Sequence, residues 1–67
     1  MIGEQLTRLR TERGMSQLHL ARAAGVTKMC VVYLEQGRNK DPHVSTVCAL
    51  AQALGVKPSR LLEESAR

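Results

Sequence analysis

Five side chains within nine positions, Lys28, Met29, Val32, Tyr33 and Gln36, combine groups that seldom share one exposed surface. Lys28 offers an ammonium, Gln36 an amide that both donates and accepts, and Tyr33 a phenol. Met29 and Val32 offer only apolar contact. At about 100° per residue, Met29, Val32 and Gln36 point to one side of a helix, with Lys28 and Tyr33 flanking them. Cys30, Val31 and Leu34 point to the other side. A face meant for water alone would more often carry Glu and Lys. Exposed Met, Val and Tyr together on a basic protein ask for a partner surface. Catalysis has no comparable support, because the chain contains no nucleophile–base pair, phosphate-cradling loop or metal-ligand set. His19 and His43 lack partners at metal or triad spacing, and Cys30 and Cys48 are too few and too far apart for a zinc site. No metal, cofactor or small-molecule ligand is implied.

The sign of the partner follows from charge. The net charge of +4 on 67 residues suits a polyanion, either nucleic acid or an acidic membrane surface. The length allows one domain, residues 1–67, with no room for a second that senses a ligand or carries out chemistry. A chain this short buries only about 60% of its unfolded surface, so its core is small. Tyr33 is the only aromatic residue, and an aliphatic core of Leu, Val, Ala, Ile and Met favours helices over a sheet. The charges scattered through Met1 to Thr11 speak against a leader peptide, and no apolar run is long enough to span a membrane. The expected location is the cytoplasm. There, Cys30 and Cys48 are expected to be small buried residues on apolar helix faces rather than a disulfide.

The elements that must position the five residues can be read in order. Ile2, Leu6 and Leu9 recur at helical spacing and predict a first helix stopped by Gly14, with Arg13 in its last turn. Ser16 is an N-cap for a second helix, Gln17 to about Ala24, with Leu20, Ala21 and Ala24 facing inward. Gly25 makes the turn, Val26 plugs it into the core, and Thr27 caps a third helix running from Lys28 to Gln36. After Gly37 comes a polar loop, Arg38 to His43, in which Pro42 bars helix. A fourth helix starts near Val44 or Ser45, with an apolar stripe of Val44, Val47, Cys48, Leu50, Ala51 and Leu54. Gly55 ends it and Val56 is a second plug. Pro58 opens a fifth helix that runs through Leu61 and Leu62 to about Glu64, with residues 65–67 expected to fray. The expected fold is all-α, a compact five-helix domain with a helix-turn-helix at helices two and three.

A bare helix-turn-helix pattern is weak, but the residues here match far more than that. Arg10, Gly14, Ser16, Gln17, Leu20, Ala21, Gly25, Val26, Glu35, Gly37 and Pro42 fall in register with the DNA-binding domain of the phage repressor and Cro (XRE-type) family. So do Ala51, Ala53, Leu54, Gly55 and Val56, with Thr27 standing for Ser and with Val31 and Leu34 standing for Ile. The chain therefore resembles that family over nearly its whole length. The resemblance implies an ion pair between Arg10 and Glu35 that fixes the third helix against the first. It also implies that Gln17 contacts a DNA phosphate, and that the loop after helix three and the start of helix four touch the same backbone. In this chain those residues are Arg38, Asn39, Lys40 and His43, with Thr27 joining them at the start of helix three. Asp41 departs from a uniformly basic loop.

Helix three would then enter the major groove, with Lys28 reaching either a guanine or a phosphate and with Met29 and Val32 meeting thymine methyl groups. Tyr33 would pack on a sugar or hydrogen-bond a phosphate or base, and Gln36 would complete the set. The expected function is a transcriptional regulator binding double-stranded DNA as a homodimer on a palindromic operator. Its dimer surface is expected at Leu54, Val56, Leu61 and Leu62, because helix five has little else to pack on. A chain starting at Met1 with no sensing domain would be controlled through concentration and dimerisation. Phage-type repressor, restriction–modification controller and small host regulator all fit. The alternative is a protein-interaction module such as an antitoxin, whose acidic or disordered toxin-wrapping tail is absent here.

Overall fold

The computed structural model describes residues 2–39 and 41–62. Within them lie α1 (Ile2–Glu12), α2 (Gln17–Ala24), α3 (Lys28–Glu35), α4 (Val44–Leu54) and α5 (Pro58–Leu61). Two of the starts are fixed by side chains. Ser16 and Thr27 are extended, and their oxygens accept the backbone N–H groups of His19 at 2.9 Å and Cys30 at 3.1 Å. Each such cap contributes about 1 kcal/mol. Helix α3 ends one residue earlier than its periodicity suggests, with Gln36 as the capping residue.

Helix α2 packs on α3 and α4, α1 packs on α3 and α5, and α4 packs on α5. The core is aliphatic: Leu6, Leu9, Leu20, Ala21, Val31, Leu34, Val47, Leu50, Ala51, Leu54 and Leu61 are buried. Arg13 lies just beyond α1 and joins its end to the end of α4. Its Nε donates to the Leu54 carbonyl at 2.7 Å and its guanidinium also reaches the Leu9 carbonyl at 3.0 Å. Gln5 is buried as well, and its Oε1 has no hydrogen-bond partner.

Three expectations about the C-terminal half are corrected. Val44 and Cys48 are exposed, Val44 by 78%. At 100° per residue they lie on the flank of the stripe made by Val47, Leu50, Ala51 and Leu54. Leu54 and Leu61 are interior, at 3% and 0% exposure, so they cannot form a dimer surface. Helix α5 does find packing, against α1 and α4, and that packing takes up Leu61. Val56 is partly buried against the same core, and only Leu62 of the four remains outside. Helix α5 stops at Leu61 with Leu62 as its cap rather than running through Leu62, and the expected continuation to Glu64 lies outside the described residues.

Gly3 is buried where α1 crosses the end of α3. A Cβ there would stand 2.4 Å from the Leu34 carbonyl oxygen, a backbone atom that cannot swing away. The helices approach this closely only because residue 3 has no side chain. Gly3→Ala should therefore destabilise the fold by about 1–3 kcal/mol despite the better helix propensity of alanine. Urea unfolding followed by circular dichroism measures this, and an unchanged midpoint would show that α1 slides without cost.

Candidate nucleic-acid interface

The interface is built from a buried polar node outward. Arg10 on α1 donates through Nε to Glu35 Oε2 at 2.6 Å, and through its second terminal nitrogen to Oε1 at 3.1 Å. Its remaining nitrogen donates to the Met15 carbonyl at 2.8 Å, in the turn between α1 and α2. Gln17, first residue of α2, donates its side-chain N–H to Glu35 Oε1 at 2.9 Å. One carboxylate at the end of α3 thus holds α1 and α2, and Arg10 in turn holds the turn between them. The side chains of Arg10 and Glu35 are 14% and 7% exposed. The Gln17 amide is directed inward to this node, so its side chain is engaged before any phosphate arrives.

This node and the Val31 and Leu34 anchors turn the opposite side of α3 outward. Lys28, Met29, Tyr33 and Gln36 are exposed, Met29 by 48% and Tyr33 by 40%, while Val32 is half-buried between them. Positions 28, 32 and 36, and 29 and 33, are i,i+4 neighbours, so the five side chains form one continuous strip. The Thr27 hydroxyl oxygen is taken by the cap of α3, yet the residue is exposed at the strip's leading end. Cys30 sits behind the strip, and burial pushes its thiol up.

At the far end of α3 the chain turns sharply at Gly37, whose φ of +76° is left-handed. The turn folds Arg38 back, so that its backbone N–H donates to the Tyr33 carbonyl at 2.9 Å. Its guanidinium lies over the Tyr33 ring, 5.6 Å from the centroid. Helical spacing alone does not join these two residues; the signal that does is their five-residue separation across a helix-ending glycine. Asn39, Asp41 and His43 are exposed beyond it, with Asn39 Oδ1 accepting the Asp41 N–H at 3.2 Å. His43 stands at the start of α4 without making a side-chain cap. Lys40 lies outside the described residues.

The family model described as a helix-turn-helix domain matches residues 2–64. The chain belongs to this family of DNA-binding transcriptional regulators, a class of regulator rather than of enzyme. It is 37% identical over 62 residues to the uncharacterized HTH-type transcriptional regulator y4dJ of Sinorhizobium fredii, covering 92% of this chain and 79% of that one. It is 44% identical over 63 residues to the regulator Rv0023 of Mycobacterium tuberculosis, of whose length it spans 24%. Among solved structures, the N-terminal DNA-binding domain of SinR from Bacillus subtilis has a TM-score of 0.93 at 30% identity, covering 100% of this chain and 97% of that one. SinR in complex with DNA gives 0.90 at 30% identity, over 94% of this chain and 100% of that one. The restriction–modification controller C.AhdI of Aeromonas hydrophila gives 0.85 at 33% identity, with 90% and 89% covered.

Breaking the polar node from either side strands the other charge in a mostly dry site. Arg10→Ala and Glu35→Ala should each cost about 3 kcal/mol, and the double variant should cost clearly less than their sum. Urea unfolding of the four proteins closes the cycle. Additive losses would mean that the two residues stabilise the fold independently.

Proposed function

We propose that this chain represses or activates transcription by binding a palindromic operator as a homodimer, with α3 in the major groove. The observation that carries the reading is the outward strip of α3. An α-helix with its side chains is about 10–12 Å across, which matches the roughly 12 Å width of the major groove. Lys28 can donate to guanine O6 or N7, Gln36 can pair with a base edge, and Met29 and Val32 favour thymine methyl groups. Thr27 and the start of α2 approach one phosphate run, while Arg38, Asn39 and His43 approach another. SinR, to which this chain is similar, was solved in complex with DNA, and this supports DNA as the partner. No helix among the described residues is long and apolar enough to cross a membrane, and the cytoplasm, where DNA is reached, is the proposed location.

The dimer surface is proposed to be an apolar face rather than α5 itself. Val44 and Leu62, 78% and 62% exposed, both line a groove of about 650 Å³ together with Ile2, Pro42, Cys48 and Pro58. In a two-fold contact the same patch meets its own copy, so a single aliphatic patch is enough. One small domain contacts few bases, and two copies on half-sites about one helical turn apart supply useful affinity.

Selection from a random duplex pool should enrich an inverted repeat. Lys28→Ala should then lose about tenfold or more on that operator while binding unrelated DNA nearly as well as before. An unaltered footprint and consensus in this variant would remove α3 from base reading. Val44→Glu should sediment as a monomer at concentrations where the parent is dimeric, with its operator affinity reduced. Cys48 should then alkylate faster than in the parent, because the face it shares with Val44 is no longer covered. Equal rates would place the interface elsewhere.

A further inference from the structure

Four helices of this chain end in the same way. At Gly14, Gly25, Gly37 and Gly55 the glycine N–H bonds back into the last turn of the helix, and the next residue's N–H reaches five residues back. Those longer bonds run from Met15 to Arg10, Val26 to Ala21, Arg38 to Tyr33 and Val56 to Ala51, at 2.9–3.1 Å. This closure ordinarily carries an apolar contact made by the residue after the glycine. Met15, Val26 and Val56 conform, each packed against the core. Arg38 does not. It is exposed, and in place of an apolar contact its guanidinium covers the ring of Tyr33, the chain's only aromatic residue.

We propose that Tyr33 serves recognition through Arg38: its ring holds the guanidinium ready for a DNA phosphate, and base reading is left to Lys28, Met29, Val32 and Gln36. The proposal rests on the DNA-binding reading above and assigns Tyr33 a narrower part within it. Arg38 lies past the C-terminal end of α3, whereas a recognition helix brings its N-terminal residues nearest the bases. A flanking guanidinium therefore meets backbone. The C-terminal end of a helix carries partial negative charge that repels phosphate, and a cation fixed there offsets it. A free arginine side chain must be ordered at the moment of binding; one already stacked on a ring has lost much of that freedom beforehand. The ring's face performs this task without its hydroxyl, so phenylalanine should replace tyrosine. Tyr33 is thus a positioning residue.

The test uses the full chain. In the free protein, NMR should show the Arg38 δ-protons shifted upfield by the ring, a shift kept in Tyr33→Phe and lost in Tyr33→Leu. Affinity is then measured at several salt concentrations on the duplex that the wild type selects from a random pool, and on unrelated duplex. Tyr33→Phe should bind within about twofold of wild type, and Tyr33→Leu and Arg38→Ala should each lose about fivefold on both duplexes. The double variant Tyr33→Leu, Arg38→Ala should be no weaker than Arg38→Ala alone. Arg38→Ala should flatten the salt slope by about one unit, Tyr33→Leu by much less, and the sequence selected by Tyr33→Leu should be unchanged. Equal losses in Tyr33→Phe and Tyr33→Leu, a changed consensus, or additive losses would overturn the proposal and make Tyr33 a direct reader. A wild type that enriches no sequence would overturn the DNA-binding reading and this inference with it, and is recognised by that result alone.

Discussion

The Glu35 carboxylate accepts hydrogen bonds from Arg10 on α1 and Gln17 on α2, and the orientation of α3 depends on it. Apolar packing alone would leave that orientation loose. Helices α2 and α3 are eight residues each, and α3 has only Val31 and Leu34 fully buried. Two aliphatic anchors one turn apart choose which side of α3 faces inward, but apolar contact has no direction and leaves the finer tilt and rotation loose. A guanidinium–carboxylate pair made through two nitrogens does have direction. Its net stabilisation is modest, since both groups give up water to form it. Its larger effect is to fix the tilt and rotation of α3 on the face that Val31 and Leu34 choose.

The same shortness explains the density of local devices. A helix of eight residues is well below the roughly 12–15 at which an isolated helix begins to hold in water. Helices α2 and α3 are therefore closed at both ends: a hydroxyl cap on the first turn and a bonded turn at the last. These devices use backbone and small side chains, which leaves the exposed side chains free for a partner. The one exception is at the end of α3, where the turn itself engages an outward pair. A scaffold so fixed can present a half-buried Val32 and an exposed Met29 without collapsing around them.

Local rules made the helices legible in the residues, and long-range rules hid the rest. Ser16, Thr27 and Pro58 act on neighbours one turn away, so the starts of α2, α3 and α5 could be read directly. The glycine after each of the first four helices is equally local. Which flank of a stripe is covered is a different matter, because it depends on the element that arrives from elsewhere. Val44 and Cys48 look as apolar as Val47 and Ala51, and only the positions of the neighbouring helices separate them. In sequence Leu61 is spare because helix five has little else to pack on, yet in the fold it is fully buried where α5 packs on α1 and α4. Gly3 and Arg13 act on the backbones of α3 and α4, at residues 34 and 54, and no pattern within α1 announces either contact. On the outward face, the exposure of the strip was legible from helical spacing, whereas the stacking of Arg38 on Tyr33 required the turn geometry.

Moving the exposed apolar face from Leu54 and Leu61 to Val44 and Leu62 changes how recognition and assembly relate. The groove that Val44 and Leu62 line is also lined by Gln36, Gly37, Asn39, Asp41 and Pro42, the residues that carry the chain from the end of α3 to the start of α4. On the proposed arrangement, one short connection therefore borders both the DNA and the second copy of the chain. The spacing between two recognition helices is then set through about eight residues. That makes half-site spacing a property of this loop. A proline at position 42 and a bonded turn at Gly37 stiffen it from both ends. A loop that instead flexed freely would let the two helices find many spacings and would blur the distinction between an operator and unrelated DNA.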